Sequence, residues 1–140
     1  SVAMAKLGAR VVAIDNDPIA VAATASAVQL NNVESQVRVC SGSLGQGSEL
    51  GHWMNHHSNS TDSFEPAAEF DLIVTNILAR VHIALASDYR QALMPQGVVI
   101  TAGYTIDFAD EVDTALVAAG FEQIDREERE EWVAIAHRLR

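Results

Sequence analysis

Asp15, closing the run Val11-Val12-Ala13-Ile14, is the first residue of the chain whose type and place could do chemistry. Four apolar residues followed by an acid are the pattern of a parallel strand covered on both faces, with polarity tolerated only where the strand emerges toward a ligand. A carboxylate at such a tip can accept hydrogen bonds from both hydroxyls of a nucleoside ribose. The other reading is an acid that only caps the next helix. Asp17 is an equally good candidate for that cap, and Pro18 suits a first helical turn because its missing N–H costs nothing there. Three more places share the geometry of Asp15: the polar turn Ser41-Gly42-Ser43-Leu44, Asn76 after the run Phe70 to Thr75, and Gly103 after the run Val98 to Ala102.

These positions need elements to hold them. Ser1 to Leu7, stopped by Gly8, reads as the last turns of a helix. The spacing predicts a helix over Pro18 to Leu30 with Ile19, Ala22, Ala23, Ala27 and Leu30 on its buried face, then a short strand at Val37 to Cys40. A second helix is expected over Ile83 to Leu93, with Ile83, Leu85, Ala86, Tyr89, Ala92 and Leu93 as its apolar stripe and Met94-Pro95-Gln96-Gly97 as its breaker. A third runs from Phe108 to Ala119, ended by Gly120. The tail reads as two strands around the charged run Arg126 to Glu131. There Val133, Ile135, His137 and Leu139 alternate with Trp132, Ala134 and Ala136, and His137 is expected at an exposed or edge position. Strands alternating with helices in this way predict an open parallel α/β sheet with a terminal hairpin. Ligands in such sheets sit beyond the carboxyl ends of the strands, so the convergence of Asp15, the Ser41 to Leu44 turn, Asn76 and Gly103 favours a nucleotide-type ligand.

Composition narrows the classes. The 140 residues are 49% hydrophobic and 20% charged, which predicts a single globular domain with a real core. A net charge of -10, from 19 acids against 9 bases, argues against non-specific nucleic-acid binding and leaves basic protein partners open. The single cysteine, Cys40, can form no internal disulfide, which points to a reducing, cytoplasmic compartment. No membrane-spanning run and no signal peptide are read. Between residues 45 and 69 the chain turns to Gly, Ser, Asn, His and acid without a sustained period, and is expected to be a flexible insertion loop. Its His52, His56 and His57 lack cysteine or carboxylate partners at fixed spacing, so no metal is expected.

Certain residues also carry a likeness. Lys6-Leu7-Gly8-Ala9 leading to Val12 through Pro18, Gly42-Ser43-Leu44, Phe70 through Ala79 with its Asn76-Ile77-Leu78-Ala79, Leu93 through Gly97, and Glu130-Glu131-Trp132 together resemble the PrmA-type ribosomal protein methyltransferases. The likeness covers nearly the whole chain apart from residues 45 to 69. It implies a Rossmann-like class I methyltransferase sheet, S-adenosylmethionine as cofactor, and methyl transfer to lysine side-chain and N-terminal amines of a large-subunit stalk protein. Under it, Asp15 would hold the ribose hydroxyls and Asn16 would line the adenosine side. Gly42, Ser43 and Leu44 would border the adenine. Asn76 would lie beside the methionine moiety and act as the catalytic residue that orients the incoming amine; its plainer reading is an asparagine satisfying the strand-end backbone. No nucleophile motif is needed, because the sulfonium is already activated and alignment is the main task.

The likeness also has gaps. The glycine-rich loop under the methionine moiety, the first and central strand, and the amino-terminal substrate-recognition domain have no counterpart here. The chain is therefore expected to be an amino-terminally truncated catalytic domain over 1–140, with exposed strand edges that favour self-association. Two other functions remain open: a small-molecule or other N-methyltransferase, and a non-catalytic α/β interaction module.

Overall fold

The computed structural model describes residues 1–45, 63–64 and 67–140 of the chain. They fall into two compact units, Ser1–Phe64 and Glu65–Arg140.

The first unit is a strand–helix–strand motif behind a short helix. α1 (Val2–Lys6) ends at Gly8, whose φ of +97° turns the chain out. β1 (Val11–Asp15) runs parallel to β2 (Val37–Ser41), with Val11 opposite Val37 and Asp15 opposite Ser41. α2 (Pro18–Leu30) connects them; the Asp17 carboxylate accepts the Ile19 N–H at 2.8 Å and Pro18 occupies the first turn. Ala5, Val28, Val33 and Val37 form the buried core, with Val2, Val11, Ala13 and Val39 packed on it. The buried face of α2 differs from the expected one. Val28 is buried, whereas Ile19 and Leu30 are 78% and 83% exposed and Ala22 and Ala23 are exposed as well. A helix this rich in alanine is apolar on several sides, so spacing does not select among them. The stripe that carries the larger Val21 and Val28, seven residues apart, is the one that packs. Beyond β2, the two-residue β3 (Ser43–Leu44) pairs in parallel with β4 (Ser63–Phe64). The remainder of the expected insertion, with its three histidines, lies largely outside the described residues.

The second unit carries a four-stranded sheet in the order β5-β6-β8-β7. β5 (Phe70–Asn76) and β6 (Leu93–Thr105) are parallel, and β8 (Trp132–Leu139) runs antiparallel to both β6 and β7 (Phe121–Arg129). α3 (Ala79–Ala92) links β5 to β6, and α4 (Ala109–Ala118), entered through a single 3-10 turn at Ile106–Phe108, links β6 to β7. The terminal hairpin is present, and the architecture is the expected mixed α/β fold. Alternation along β8 buries Val133, Ile135 and Leu139, and Val99, Val112, Leu116 and Phe121 of the same unit are buried with them.

Several boundaries differ from the sequence reading. α3 begins four residues before Ile83, and Ile83 itself is exposed. Met94 to Gly97 does not form a separate loop but lies within β6, with Gln96 at φ +67° absorbing the turn. Most of the charged run lies in β7, and the reversal is confined to Glu130 and Glu131, with Glu130 at φ +55°. Gly103 sits inside β6 rather than at its tip, at the register shift between Thr101 and Tyr104. Among the described residues, no helix is long and apolar enough to cross a membrane.

Candidate functional site

In the first unit the exit of β1 gathers the residues expected around an adenosine. Asp15 is exposed, and its Oδ1 accepts the Asp17 N–H at 2.9 Å. Asp17 in turn caps α2, so the two acids divide the work. Among the described residues no other hydrogen bond engages the Asp15 carboxylate, which leaves Oδ2 free to accept. Gly42 donates its N–H to the Asp15 carbonyl at 2.9 Å, which draws the turn after β2 against the tip of β1. Gly42 is buried at φ +141°, a conformation that favours glycine, while Ser43 and Leu44 are half-buried and Asn16 is exposed beside Asp15. An exposed carboxylate next to a close-packed backbone turn suits a diol and a flat heterocycle.

In the second unit Asn76 ends β5, exposed and opposite Ala102 of β6. Its neighbour Ile77 donates its N–H to the Ala102 carbonyl at 3.0 Å. Gly103 follows at φ +91°, and a Cβ there would collide with the Asn76 Oδ1 and lie 2.7 Å from both the nitrogen and oxygen of Ile77. The glycine lets β6 pass directly against the strand end that presents Asn76.

Beneath this junction lies a polar core that sequence reasoning missed. His82 of α3 is fully buried; its Nε2 donates to the Ala102 carbonyl at 2.9 Å, and its Nδ1, 3.1 Å from the Tyr89 hydroxyl, accepts from it. The Tyr104 ring meets His82 edge-on at a centroid distance of 5.3 Å, and the Tyr104 hydroxyl bonds Thr101 at 2.8 Å. The signal was in the sequence: His82, Leu85, Ala86 and Tyr89 stand at i, i+3, i+4 and i+7, the spacing of one buried stripe.

His137 corrects a second expectation. It is fully buried, not at an exposed edge, because the two-residue period that buries Val133 and Ile135 carries it to the same face. Its Nε2 lies 2.8 Å from Asp113 of α4, and its buried Nδ1 has no hydrogen-bond partner among the described residues.

Burial lowers the pKa of both histidines from the ordinary 6.5; the bond to Ala102 partly opposes this for His82, and Asp113 does so for His137. Because the folded values are depressed, the unfolded chain binds these protons first as pH falls below 6.5. Each group then subtracts up to about 1.4 kcal/mol of stability per pH unit until its folded value is reached. Thermal melts are expected to hold steady above about pH 7 and to fall steadily toward about pH 5. A rising melting temperature over that interval would contradict the assignment of neutral buried imidazoles.

Comparison with known proteins follows the same lines. Residues 1–140 match the family model described as ribosomal protein L11 methyltransferase (PrmA). The chain belongs to this family. The ribosomal protein L11 methyltransferase of Herpetosiphon aurantiacus is 43% identical over 142 residues, covering 99% of this chain and 44% of the relative. The chain thus spans less than half the length of that relative. Among solved structures, a ribosomal protein L11 methylase from Lactobacillus delbrueckii subsp. bulgaricus superposes with a TM-score of 0.70 at 22% identity, covering 99% of this chain and 64% of the other. M. jannaschii TYW2 in complex with AdoMet gives 0.64 at 14% identity, over 99% of this chain and 61% of that one. These two likenesses speak to the class I methyltransferase fold. In this chain, Asp15, Asn16, Gly42, Ser43 and Leu44 form one group at the exit of β1, and Asn76 lies against Gly103 of β6 at the exit of β5.

Proposed function

We propose that this PrmA-family chain is catalytic-domain sequence of a ribosomal protein methyltransferase, with residues 45–69 as an insertion, that uses S-adenosylmethionine to methylate lysine side-chain and N-terminal amines. The observation that carries the reading is Asp15: an exposed carboxylate at the exit of a parallel strand, with one oxygen spent on the local turn and the other uncommitted among the described residues. That is the acceptor a ribose diol requires.

When bound, S-adenosylmethionine supplies a methyl group already activated on a sulfonium. The chain's own residues have binding and alignment left to do. Asp15 accepts from the ribose hydroxyls, Asn16 lines the adenosine side, and the backbone of Gly42, Ser43 and Leu44 borders the adenine. Asn76 offers an amide oxygen that accepts an N–H of the incoming amine and aims its lone pair. A neutral amide suits the role better than a carboxylate, because a negative charge there would favour the protonated, unreactive ammonium.

Calorimetric titration of the 140-residue chain with S-adenosylhomocysteine tests the reading. Saturable binding is expected, followed by mass increments of whole methyl groups on the ribosomal protein when methyl donor is supplied. A folded chain that neither binds nor transfers would overturn it.

A further inference from the structure

Asn76 is flanked by two residues that both enter one chain of hydrogen bonds. The Thr75 hydroxyl is placed to donate toward the Tyr89 phenol, partly opposing the rise that burial gives its pKa. The Tyr89 hydroxyl donates to His82 Nδ1 at 3.1 Å, and His82 Nε2–H donates to the Ala102 carbonyl at 2.9 Å. That same carbonyl accepts the N–H of Ile77 at 3.0 Å. The relay leaves β5 one residue before Asn76, passes through two buried side chains of α3, and returns one residue after it.

We propose that His82, with Tyr89, is a positioning residue that fixes the backbone on both sides of Asn76 and so sets the direction in which the Asn76 amide points. The inference rests on the reading of Asn76 as the residue beside the methionine moiety and the amine. The Ala102 carbonyl accepts from both His82 and Ile77, and each hydroxyl or ring N–H donates in the same sense, so the bonds around the buried His82 and Tyr89 polarise one another. The imidazole spans the Tyr89 hydroxyl and the Ala102 carbonyl with an acceptor on one side and a donor on the other; an apolar side chain of similar size fills the space but leaves that carbonyl with a single partner and the phenol without its acceptor. Gly103 completes the arrangement, since its lack of a Cβ lets β6 lie close enough for Ala102 to serve both His82 and Ile77.

Amide hydrogen exchange and nuclear magnetic resonance of the chain test this. In His82→Phe, exchange of the Ile77 N–H is expected to quicken about tenfold and the Asn76 side-chain signals to broaden. Amides in the hairpin, such as those of Glu122 and Arg138, keep their protection. His82→Gln, which retains a donor toward Ala102, restores most of the protection at Ile77. Tyr89→Phe, a loss of one hydroxyl, gives the same local pattern at smaller amplitude and keeps the test open should His82→Phe fail to fold. Unchanged Ile77 and Asn76 signals in these variants, or equal loosening throughout the second unit, overturns the proposal. A separate arm keeps the functional reading distinct: His82→Phe should weaken S-adenosylhomocysteine about tenfold while leaving adenosine, which lacks the methionine part, unaffected. If Ile77 and Asn76 loosen but neither ligand's affinity changes, the relay stands and the role given to Asn76 falls.

Discussion

Replacing Asp15 with alanine is expected to weaken S-adenosylhomocysteine binding on the order of a hundredfold or more. Two hydrogen bonds to a charged acceptor, at about 1.5 kcal/mol each at the low end, sum to about 3 kcal/mol. The neighbouring acid supplies the control. Asp17 caps α2 through the Ile19 N–H, so Asp17→Ala should cost about 1 kcal/mol of stability and leave affinity near that of the parent chain. Asp15→Ala also loses its bond to the Asp17 N–H, and a small fall in melting temperature accompanies the large loss of affinity. Asp15→Asn, with one acceptor and no charge, should fall between. Calorimetry on the four chains decides the matter, and wild-type affinity in Asp15→Ala would remove the ribose role from this residue.

The second large effect is on stability. Gly103→Ala places a methyl group where the Ile77 backbone nitrogen and oxygen lie 2.7 Å away and where the Asn76 side chain already sits, at a φ of +91°. Left-handed backbone costs a residue with a Cβ about 1–2 kcal/mol, and forced overpacking adds about 1–3 kcal/mol. A loss of about 2–5 kcal/mol in denaturant unfolding follows, with the damage centred on the exit of β5. The obstructing atoms are backbone, which cannot swing away as a flexible side-chain end would. An alanine variant as stable as its parent would mean that β6 does not pass against Asn76 as described.

What the sequence disclosed depended on how far each signal stood from its alternatives. Val11 to Asp15 and Phe70 to Asn76 are apolar runs too short for helices and closed by a polar residue, so strand and direction were both readable. Asp15 and Asp17 are two residues apart and chemically identical; only the folded structure shows that one caps α2 while the other, among the described residues, keeps an oxygen free. α2 was legible as a helix and not as a face, since alanine on every side gives periodicity nothing to choose. His82 and His137 went unread for a different reason. Each stands in a row that spacing marks as buried, but a titratable ring is expected at the surface, and its burial depends on partners as distant as Ala102 and Asp113. Hydrogen bonds across 20 and 24 residues are made by the fold, and no local window contains both ends.

The order of the second sheet bears on how the protein is made. β8 is synthesised after β7, yet it occupies an interior place between β6 and β7. As the chain leaves the ribosome, β5, α3 and β6 can assemble early, but β6 keeps one open edge until Trp132–Leu139 arrives. Val98 waits for Arg138, and Asp113 waits for His137. During that interval the half-built sheet offers the open edge of β6 to any neighbouring nascent chain, so the closing residues act as the latch of biosynthesis.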